Sequence, residues 1–293
     1  MLLKNYKTIF LQALSSLYDE KEIESFFYLT LEKLHQKKRI DLALQPDLAM
    51  DETQLAQWET VLTELKTYKP IQYILGETEF YGLPFLVNEN VLIPRPETEE
   101  LVQLILVESQ KSKVESFKIL DIGTGSGCIP ISLKKNLPSA EVFAIDVSKN
   151  ALEVAQKNAE INGVEVNFTE ANILLTDSLA LPTHNSQLTT LFDIIVSNPP
   201  YVRNLEKAEI NPNVLEFEPH LALFVEDNDA LLFYRKITEL AKNHLSENGK
   251  LYFEINQYLG KETVALVESY GFKKVQLLKD IYGNDRMISA DYS

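Results

Sequence analysis

Strands and helices alternate along the chain from about residue 97 onward, and this alternation constrains the fold more than any other feature of the sequence. An apolar strand at residues 117–122 leads into a glycine-containing loop and then a helical segment. Further strands are predicted at residues 141–145, 164–168, 192–197, 250–255, 272–277 and 287–290, and helices at 97–111, 129–137, 150–162 and 229–245. Alternating strands and helices form a parallel sheet covered on both faces, with ligands bound at the carboxyl ends of the strands. We therefore predict an α/β fold with a site at that edge.

The first part of the chain has a different pattern. It lacks glycine before Gly76 and spaces its apolar side chains at the helical period, which predicts a small helical domain at residues 1–75. Asp51 is placed to cap the helix that carries Trp58.

The remainder, residues 76–293, is predicted to hold a β-hairpin linker and the α/β domain. Short strands separated by turns between Gly76 and Pro94 predict the hairpin. The segment 176–190 is rich in Ser, Thr, Asn and Leu, which predicts a surface insertion.

A glycine-rich loop, Asp121 to Gly127, directly follows the strand at 117–122. A dinucleotide-binding loop needs G-x-G-x-x-G, whose third glycine would fall at Cys128, whereas this chain has G-x-G-x-G. The tighter spacing is typical of loops that bind S-adenosylmethionine. Asp146 ends the next strand, where an acidic side chain accepts hydrogen bonds from ribose hydroxyls. The loop positions predicted to bind this cofactor are Asp121, Gly123, Thr124, Gly125, Ser126 and Gly127.

The second motif is Asn198-Pro199-Pro200-Tyr201, at the end of the buried strand 192–197. An amide nitrogen is a poor nucleophile because its lone pair is delocalised. Accepting its hydrogens with the Asn198 side-chain oxygen and the Pro199 carbonyl would hold it toward a methyl donor. Pro199 and Pro200 fix the backbone and remove competing N–H donors, and Tyr201 is expected to stack on a flat amide or a base.

Composition excludes several classes of protein. The formal net charge is −15 and the sequence has no long basic stripe, so binding to naked nucleic acid is disfavoured. One cysteine and four scattered histidines predict neither disulfides nor a metal site. No apolar run approaches the roughly 20 residues of a membrane span, and residues 1–7 do not resemble a secretory signal. We therefore expect a soluble cytoplasmic protein.

Taken together, these motifs resemble the HemK/PrmC protein-(glutamine-N5) methyltransferases, which modify the GGQ glutamine of peptide chain release factors. The resemblance spans nearly the whole chain, and the run LIPRPETE is its most family-specific part. The matching segments are residues 70–76 (PIQYILG), 80–82 (FYG), 92–99 (LIPRPETE), 121–127 (DIGTGSG), 198–201 (NPPY), 216–219 (EFEP), 229–231 (DAL) and 283–286 (GNDR).

The resemblance implies a seven-stranded, Rossmann-like class I methyltransferase domain that uses S-adenosylmethionine, preceded by a helical domain that docks the substrate. It places Arg95 and Glu97 on the substrate side of the site. Asn172 and Ile173 stand near the adenine, where the family usually has an acidic residue. Asn256 replaces a glycine that is common in the family after Glu-Ile.

Other functions stay open at this point. The same motifs are compatible with a nucleic-acid adenine-N6 or guanine-N2 methyltransferase, which would flip its base into the pocket. They are also compatible with a methyltransferase for a ribosomal-protein glutamine. A binding protein without catalytic activity is a third alternative, although such a protein would not need the Asn-Pro-Pro-Tyr motif.

Overall fold

The computed structural model describes residues 1–112, 115–176 and 191–292. The chain divides into two compact units, of which the first comprises Met1–Glu77 with Asn211–Phe217 and the second comprises Thr78–Ile210 with Glu218–Ser293. Apart from Thr176, the predicted insertion at 176–190 lies outside the described residues.

The first unit is helical. Its helices before residue 77 are α1 (Leu3–Leu14), α2 (Glu20–His35), α3 (Arg39–Leu44), α4 (Glu52–Leu65) and α5 (Ile71–Leu75). The Asp51 carboxylate accepts a hydrogen bond from the Gln54 backbone N–H at 2.8 Å, and the Gln54 side chain accepts one from the Asp51 N–H at 3.1 Å. This reciprocal pair confirms the predicted cap of α4.

Aromatic packing around Trp58 forms the core of this unit. The Trp58 ring is fully buried, with ring centroids 4.8 Å from Phe27, 5.5 Å from Tyr6 and 5.7 Å from Phe10. Its indole N–H donates to Nε2 of His35 at 2.9 Å, so the polar edge of the ring is also satisfied.

The second unit begins with a small two-stranded sheet and continues as alternating strands and helices. The strands are β1 (Glu77–Phe80), β2 (Leu83–Leu86), β3 (Lys118–Ile122), β4 (Glu141–Asp146), β5 (Asn167–Glu170), β6 (Phe192–Ser197), β7 (Val202–Arg203), β8 (Phe224–Val225), β9 (Leu245–Glu254), β10 (Lys273–Lys279) and β11 (Asp285–Asp291). The helices are α6 (Pro96–Lys111), α7 (Cys128–Asn136), α8 (Lys149–Asn162), α9 (Pro212–Phe217, in the first unit), α10 (His220–Leu223), α11 (Leu232–His244) and α12 (Gly260–Ser269).

The main sheet has seven strands in the order β10-β11-β9-β6-β3-β4-β5. Strands β5, β4, β3, β6 and β9 run parallel, whereas β11 is antiparallel to both of its neighbours. The chain proceeds from β3 outward to β5 and then returns to β6 on the other side of β3. Such a reversal leaves a crevice at the carboxyl ends of β3 and β6, where ligands bind in open α/β sheets.

Both faces of this sheet are buried. In β3, Leu120 packs into one apolar cluster with α11, while Ile119 packs into a second cluster with α6 and α7. In β6, Ile195 and Ile194 divide between the same two clusters. This burial on both sides explains why the strands are continuous apolar runs. The sheet and its flanking helices confirm the predicted α/β fold, and the sheet has the expected seven strands.

The predicted and observed strands differ most in β9, which begins at Leu245 rather than at residue 250. The Asn248-Gly249 pair resembles a turn, but the structure accommodates it within the strand through an irregular register opposite Phe192–Ile194. A Cβ at Gly249 would lie 2.9 Å from Cδ2 of Leu245 and 3.0 Å from the Phe192 carbonyl oxygen, so the close approach of the two strands favours glycine.

Candidate active site

The glycine loop after β3 is held by backbone hydrogen bonds to the end of β4. The N–H groups of Gly123 and Thr124 both donate to the Ile145 carbonyl, at 2.9 and 3.0 Å. Gly127 has φ +81°, and a Cβ there would lie 2.9 Å from Cδ1 of Ile131 and 3.1 Å from Cβ of Ala155. Conformation and space therefore both require glycine where the loop enters α7.

Asp146 ends β4 beside this loop. Its Oδ2 accepts the Gly125 N–H at 2.8 Å, and its Oδ1 accepts the Ser148 N–H at 2.8 Å. Burial raises the pKa of Asp146, and these backbone donors oppose the shift. Each carboxylate oxygen keeps a lone pair, so the side chain can also accept from a ligand hydroxyl.

Asp121 is fully buried in β3, and neither carboxylate oxygen has a hydrogen-bond partner of ordinary geometry among the described residues. Burial raises its pKa to about 7; the nearby Thr124 hydroxyl opposes that shift and the Asp146 charge adds to it. An unpartnered buried carboxylate is costly unless positive charge or water compensates it. The two acidic groups therefore suit a ligand that carries positive charge, as the sulfonium and ammonium groups of S-adenosylmethionine do.

A cavity of about 230 Å³ lies at the carboxyl ends of β3, β4 and β6. Of the residues predicted as site residues, those that line it are Arg95, Gly123, Thr124, Gly125, Ser126, Asp146, Asn172, Ile173, Asn198, Pro199 and Pro200. Four others predicted from the sequence do not line it, namely Asp121, Gly127, Glu97 and Tyr201. The structure thus brings the two sequence motifs to one cavity.

Asn172 begins the 3₁₀ turn Ile173–Leu175, and its side-chain oxygen accepts the Leu174 N–H at 3.0 Å. Asn172 therefore has a capping role as well as a place on the cavity wall. Ile173 is buried beside it and supplies apolar surface to the same wall.

The end of β6 is pinned next to β3, because the Ser197 hydroxyl donates to the Ile122 carbonyl at 2.6 Å. The Asn198 side-chain NH₂ then donates to the Thr98 hydroxyl at 3.3 Å. Thr98 lies in the first turn of α6, is buried, and lines the cavity. Thr98 was not predicted from the sequence as a site residue, although it stands within the LIPRPETE run.

Tyr201 is placed differently from the stacking position expected from the sequence. Its ring packs against the core cluster of α11 and β9, and its hydroxyl donates to Oε1 of Glu254 at 3.0 Å. Burial first, and then the Glu254 charge, raise the pKa of Tyr201. Tyr201 therefore anchors the loop that carries Asn198 instead of forming the cavity wall.

Glu254 ends β9 and is a second residue of this site that was not predicted from the sequence. Its Oε2 accepts the Thr98 hydroxyl at 2.6 Å, so it contacts both α6 and the Tyr201 loop. Burial raises the pKa of Glu254, while the bonds from Thr98 and Tyr201 and the Arg286 charge oppose the shift. The sequence holds one signal for Glu254, because it is a charged residue at the end of an apolar strand.

Arg95 and Glu97 do not pair with each other. The Arg95 guanidinium donates to the buried carboxylate of Glu218, which also accepts the Ile93 N–H at 3.2 Å. Arg95 lines the cavity, whereas Glu97 does not, so the structure separates the two predicted substrate-side residues.

Asn256, which stands where a glycine is common in the resembled family, makes a dense set of contacts. Its NH₂ donates to the Tyr201 carbonyl at 2.9 Å and to Oε2 of Glu206 at 2.9 Å, and its oxygen accepts the Tyr258 N–H at 2.9 Å. This residue therefore adds a second attachment for the loop that follows Asn198.

The part of the chain that the structure describes contains no helix with the length and apolar character needed to cross a bilayer. Within the same residues, no group of His, Cys, Asp and Glu side chains is arranged to hold a metal ion.

Comparison with known proteins agrees with this geometry. Residues 101–216 match the methyltransferase small domain family. A Thermus thermophilus 16S ribosomal RNA guanine-N2 methyltransferase, solved with AdoMet and guanosine, superposes with a TM-score of 0.51 at 19% identity, over 74% of this chain and 50% of that chain. The fold and the site define a Rossmann-like class I methyltransferase.

More similar relatives identify the particular family. Residues 10–76 match the PrmC N-terminal domain family. A release factor glutamine methyltransferase of Flavobacterium psychrophilum is 69% identical over 293 residues, with 100% of both chains covered. One from Bacteroides thetaiotaomicron is 42% identical over 280 residues, with 96% of each chain covered. The chain belongs to the release factor glutamine methyltransferase family.

Proposed function

We propose that this enzyme transfers the methyl group of S-adenosylmethionine to the side-chain N5 of the glutamine in the GGQ motif of peptide chain release factors. The names of its full-length relatives support the substrate class. The observation that carries the proposal is the position of Asn198, which lines the same cavity as the glycine loop.

The loop side of the cavity would hold the cofactor. Asp146 would accept from the ribose hydroxyls, Asn172 and Ile173 would border the adenine, and the loop from Gly123 to Gly127 would lie against the methionine part. Asp121 would compensate positive charge from beneath the loop. When bound, the cofactor supplies an electrophilic methyl group on a sulfonium.

The chain's own residues would prepare the acceptor nitrogen. The Asn198 oxygen and the Pro199 carbonyl would accept the two N–H hydrogens of the amide, which turns the nitrogen toward the donor and favours the geometry that develops during attack. Pro200 keeps this backbone rigid. One direct displacement suffices, and the nitrogen loses its proton once methylation has made it acidic. The residues therefore need to position the acceptor, and a general base is not required.

The remaining assignments follow from this function. Arg95 is placed on the cavity wall and would contact the substrate loop, while Glu97 would act further out. The helical unit at residues 1–75 would supply docking surface for a protein substrate.

Translation takes place in the cytoplasm, which is the location we assign. The net charge of −15 favours a protein substrate over a nucleic acid, because phosphate contacts dominate nucleic-acid affinity.

A label-transfer experiment tests the substrate class. With radioactive S-adenosylmethionine, a purified release factor should be labelled, and its variants with Ala or Asn in place of the GGQ glutamine should not be. Asparagine fails because its shorter side chain keeps the nitrogen from the methyl group. Short DNA and RNA duplexes at physiological salt should stay unlabelled. Labelling of a duplex with an inert release factor would overturn the proposal.

A further inference from the structure

Two buried side chains behind Asn198 form a hydrogen-bonded relay. Oε2 of Glu254 lies 2.6 Å from the Thr98 hydroxyl, and that hydroxyl lies 3.3 Å from the Asn198 side-chain nitrogen. Thr98 and Glu254 are 2% and 1% exposed, so bulk water has little access to the bond between them. Three separate elements of the fold, α6, β9 and the loop after β6, contribute one residue each.

Counting protons along the relay fixes the direction of every bond. A carboxylate only accepts hydrogen bonds, and a threonine hydroxyl has a single proton to donate. Thr98 uses that proton on Glu254, so it can only accept from its other neighbour. The atom of Asn198 that faces Thr98 must then be the NH₂ group, and the amide oxygen is left on the opposite side of the side chain.

Glu254 is itself held in place. The Tyr201 hydroxyl occupies Oε1 at 3.0 Å, and the Tyr234 hydroxyl donates to the Glu254 backbone carbonyl at 3.2 Å. Burial raises the pKa of the Glu254 carboxyl, but the hydrogen bonds donated by Thr98 and Tyr201 and the positive charge of Arg286 on β11 oppose that shift and favour the ionised form. With both oxygens engaged by donors, the carboxylate acts as the fixed acceptor end of the relay.

We propose that Thr98 and Glu254 are positioning residues that set which way the Asn198 amide points, so that its oxygen, and not its NH₂, meets the N–H of the methyl acceptor. This inference rests on the proposed function, since it requires an acceptor nitrogen that carries hydrogens. An inverted Asn198 would direct its own N–H toward the substrate N–H, and two donors cannot bond to each other. The relay thus makes the site selective for a donor-bearing nitrogen.

The first test compares two substitutions of Thr98. Thr98→Val keeps the shape and removes the hydroxyl, and should lower kcat on the release factor about 10- to 100-fold, the loss expected for a hydrogen bond to a charged group. Thr98→Ser keeps the hydroxyl, and its kcat should stay within about threefold of wild type. The Kd for S-adenosylhomocysteine, measured by calorimetry, should change by less than about twofold in both variants. Those binding values also show that both proteins are folded.

Ser109→Ala is the matched control, because Ser109 is a buried hydroxyl on the same helix with no hydrogen-bond partner among the described residues. It should leave kcat unchanged. An equal loss of kcat in the Val and Ser variants of residue 98 would contradict the inference, as would normal turnover in Thr98→Val. Failure of the wild-type enzyme to label the release factor would instead refute the proposed function.

A double-mutant cycle tests whether Glu254 acts on Asn198 through Thr98. Glu254→Gln should lower kcat in the wild-type background, because the new side-chain amide can present an N–H to the Thr98 oxygen and free Thr98 to donate to Asn198. The same substitution in the Thr98→Val background should cost at most about twofold more, since the link is already broken. Fully additive losses would show that the two residues act independently and would contradict the relay.

Discussion

The two sides of the cavity are built by different means. The loop side, residues 123–127 with Asp146, is formed mainly by backbone: N–H groups of the loop bond to the Ile145 carbonyl and to the Asp146 carboxylate. The acceptor side, Asn198 with Thr98 and Glu254 behind it, is held by hydrogen bonds between side chains from three elements. Local glycine geometry therefore specifies the loop side, whereas the acceptor side depends on each member of a set that is scattered through the sequence.

The largest expected effect belongs to the acceptor side. Asn198→Ala should lower kcat by about 10²–10³, the usual loss when one preorganised hydrogen-bonding group is removed. Cofactor affinity should fall far less, because Asp146 and the loop backbone remain. Steady-state kinetics with the release factor measures the loss of kcat. Calorimetry with S-adenosylhomocysteine measures the change in affinity for the cofactor product. Asn243→Ala, at an exposed position of α11, is the control. A kcat close to that of wild type would contradict the proposed role of Asn198.

The next effect concerns Asp121, which supports the loop side at a cost to stability. Its pKa is about 7 in the folded protein against an ordinary value of 3.8, so the unfolded chain releases this proton first as the pH rises. The contribution of Asp121 to stability is therefore present below pH 3.8 and is lost as the pH rises through 7. The difference between the two pKa values of Asp121 corresponds to about 4 kcal/mol of unfolding free energy at most.

Asp121→Asn should consequently make the cofactor-free protein more stable than wild type at pH 8, and the advantage should shrink toward pH 5. Urea unfolding at the two pH values measures it. The variant should also bind S-adenosylmethionine more weakly, because the compensating negative charge is gone. An Asn variant that is less stable than wild type at pH 8 would contradict the unpartnered state of this carboxylate.

Asp146 tests the loop side by affinity. Asp146→Ala should weaken S-adenosylmethionine binding by roughly 1–3 kcal/mol, because it removes ligand contacts and leaves the Gly125 N–H without its acceptor. Asp146→Asn keeps one acceptor oxygen and should lose less. At saturating cofactor, kcat should fall less than the Kd rises. A variant that binds S-adenosylmethionine with normal affinity but has a low kcat would contradict the assignment of Asp146 to cofactor binding.

The smallest expected effect is at Asn256. Asn256→Gly removes the bonds to the Tyr201 carbonyl and Glu206, which should cost about 1–2 kcal/mol of unfolding free energy. Turnover should fall by less than about threefold, since the relay to Asn198 passes through Thr98 and Glu254 instead. Urea unfolding and steady-state kinetics of one preparation measure both quantities. A loss of kcat as large as that of Thr98→Val would make Asn256 part of the positioning apparatus.

The same contrast explains how much could be predicted from the sequence. The strand-loop-helix around Asp121–Gly127 is a contiguous pattern, and its periodicity and glycines determine the local geometry, so the loop and Asp146 could be located directly. The parallel sheet followed from apolar runs alternating with helices. Short elements such as β7, β8, α9 and α10 escaped prediction because two to six residues carry too little periodicity.

Most of the acceptor side could not be predicted in this way. Asn198 was found from its motif, but its partner Thr98 is 100 residues away, and Glu254 is 156 residues from Thr98. The neighbouring positions of β6 and β9 in the sheet, together with the packing of α6 against β9, bring these residues together. Tyr201 shows the same limit: its place after two prolines suggested stacking, whereas a contact with Glu254 fixes its hydroxyl.

Tandem mass spectrometry of a release factor after reaction with the purified enzyme tests the central claim most directly. The peptide that contains the GGQ motif should gain the mass of one methylene group, and its fragments should place that mass on the glutamine side chain. A parallel reaction with Asn198→Ala should leave the peptide unmodified over the same time. An unmodified peptide from the wild-type reaction, or a methyl group on any other residue, would contradict the account.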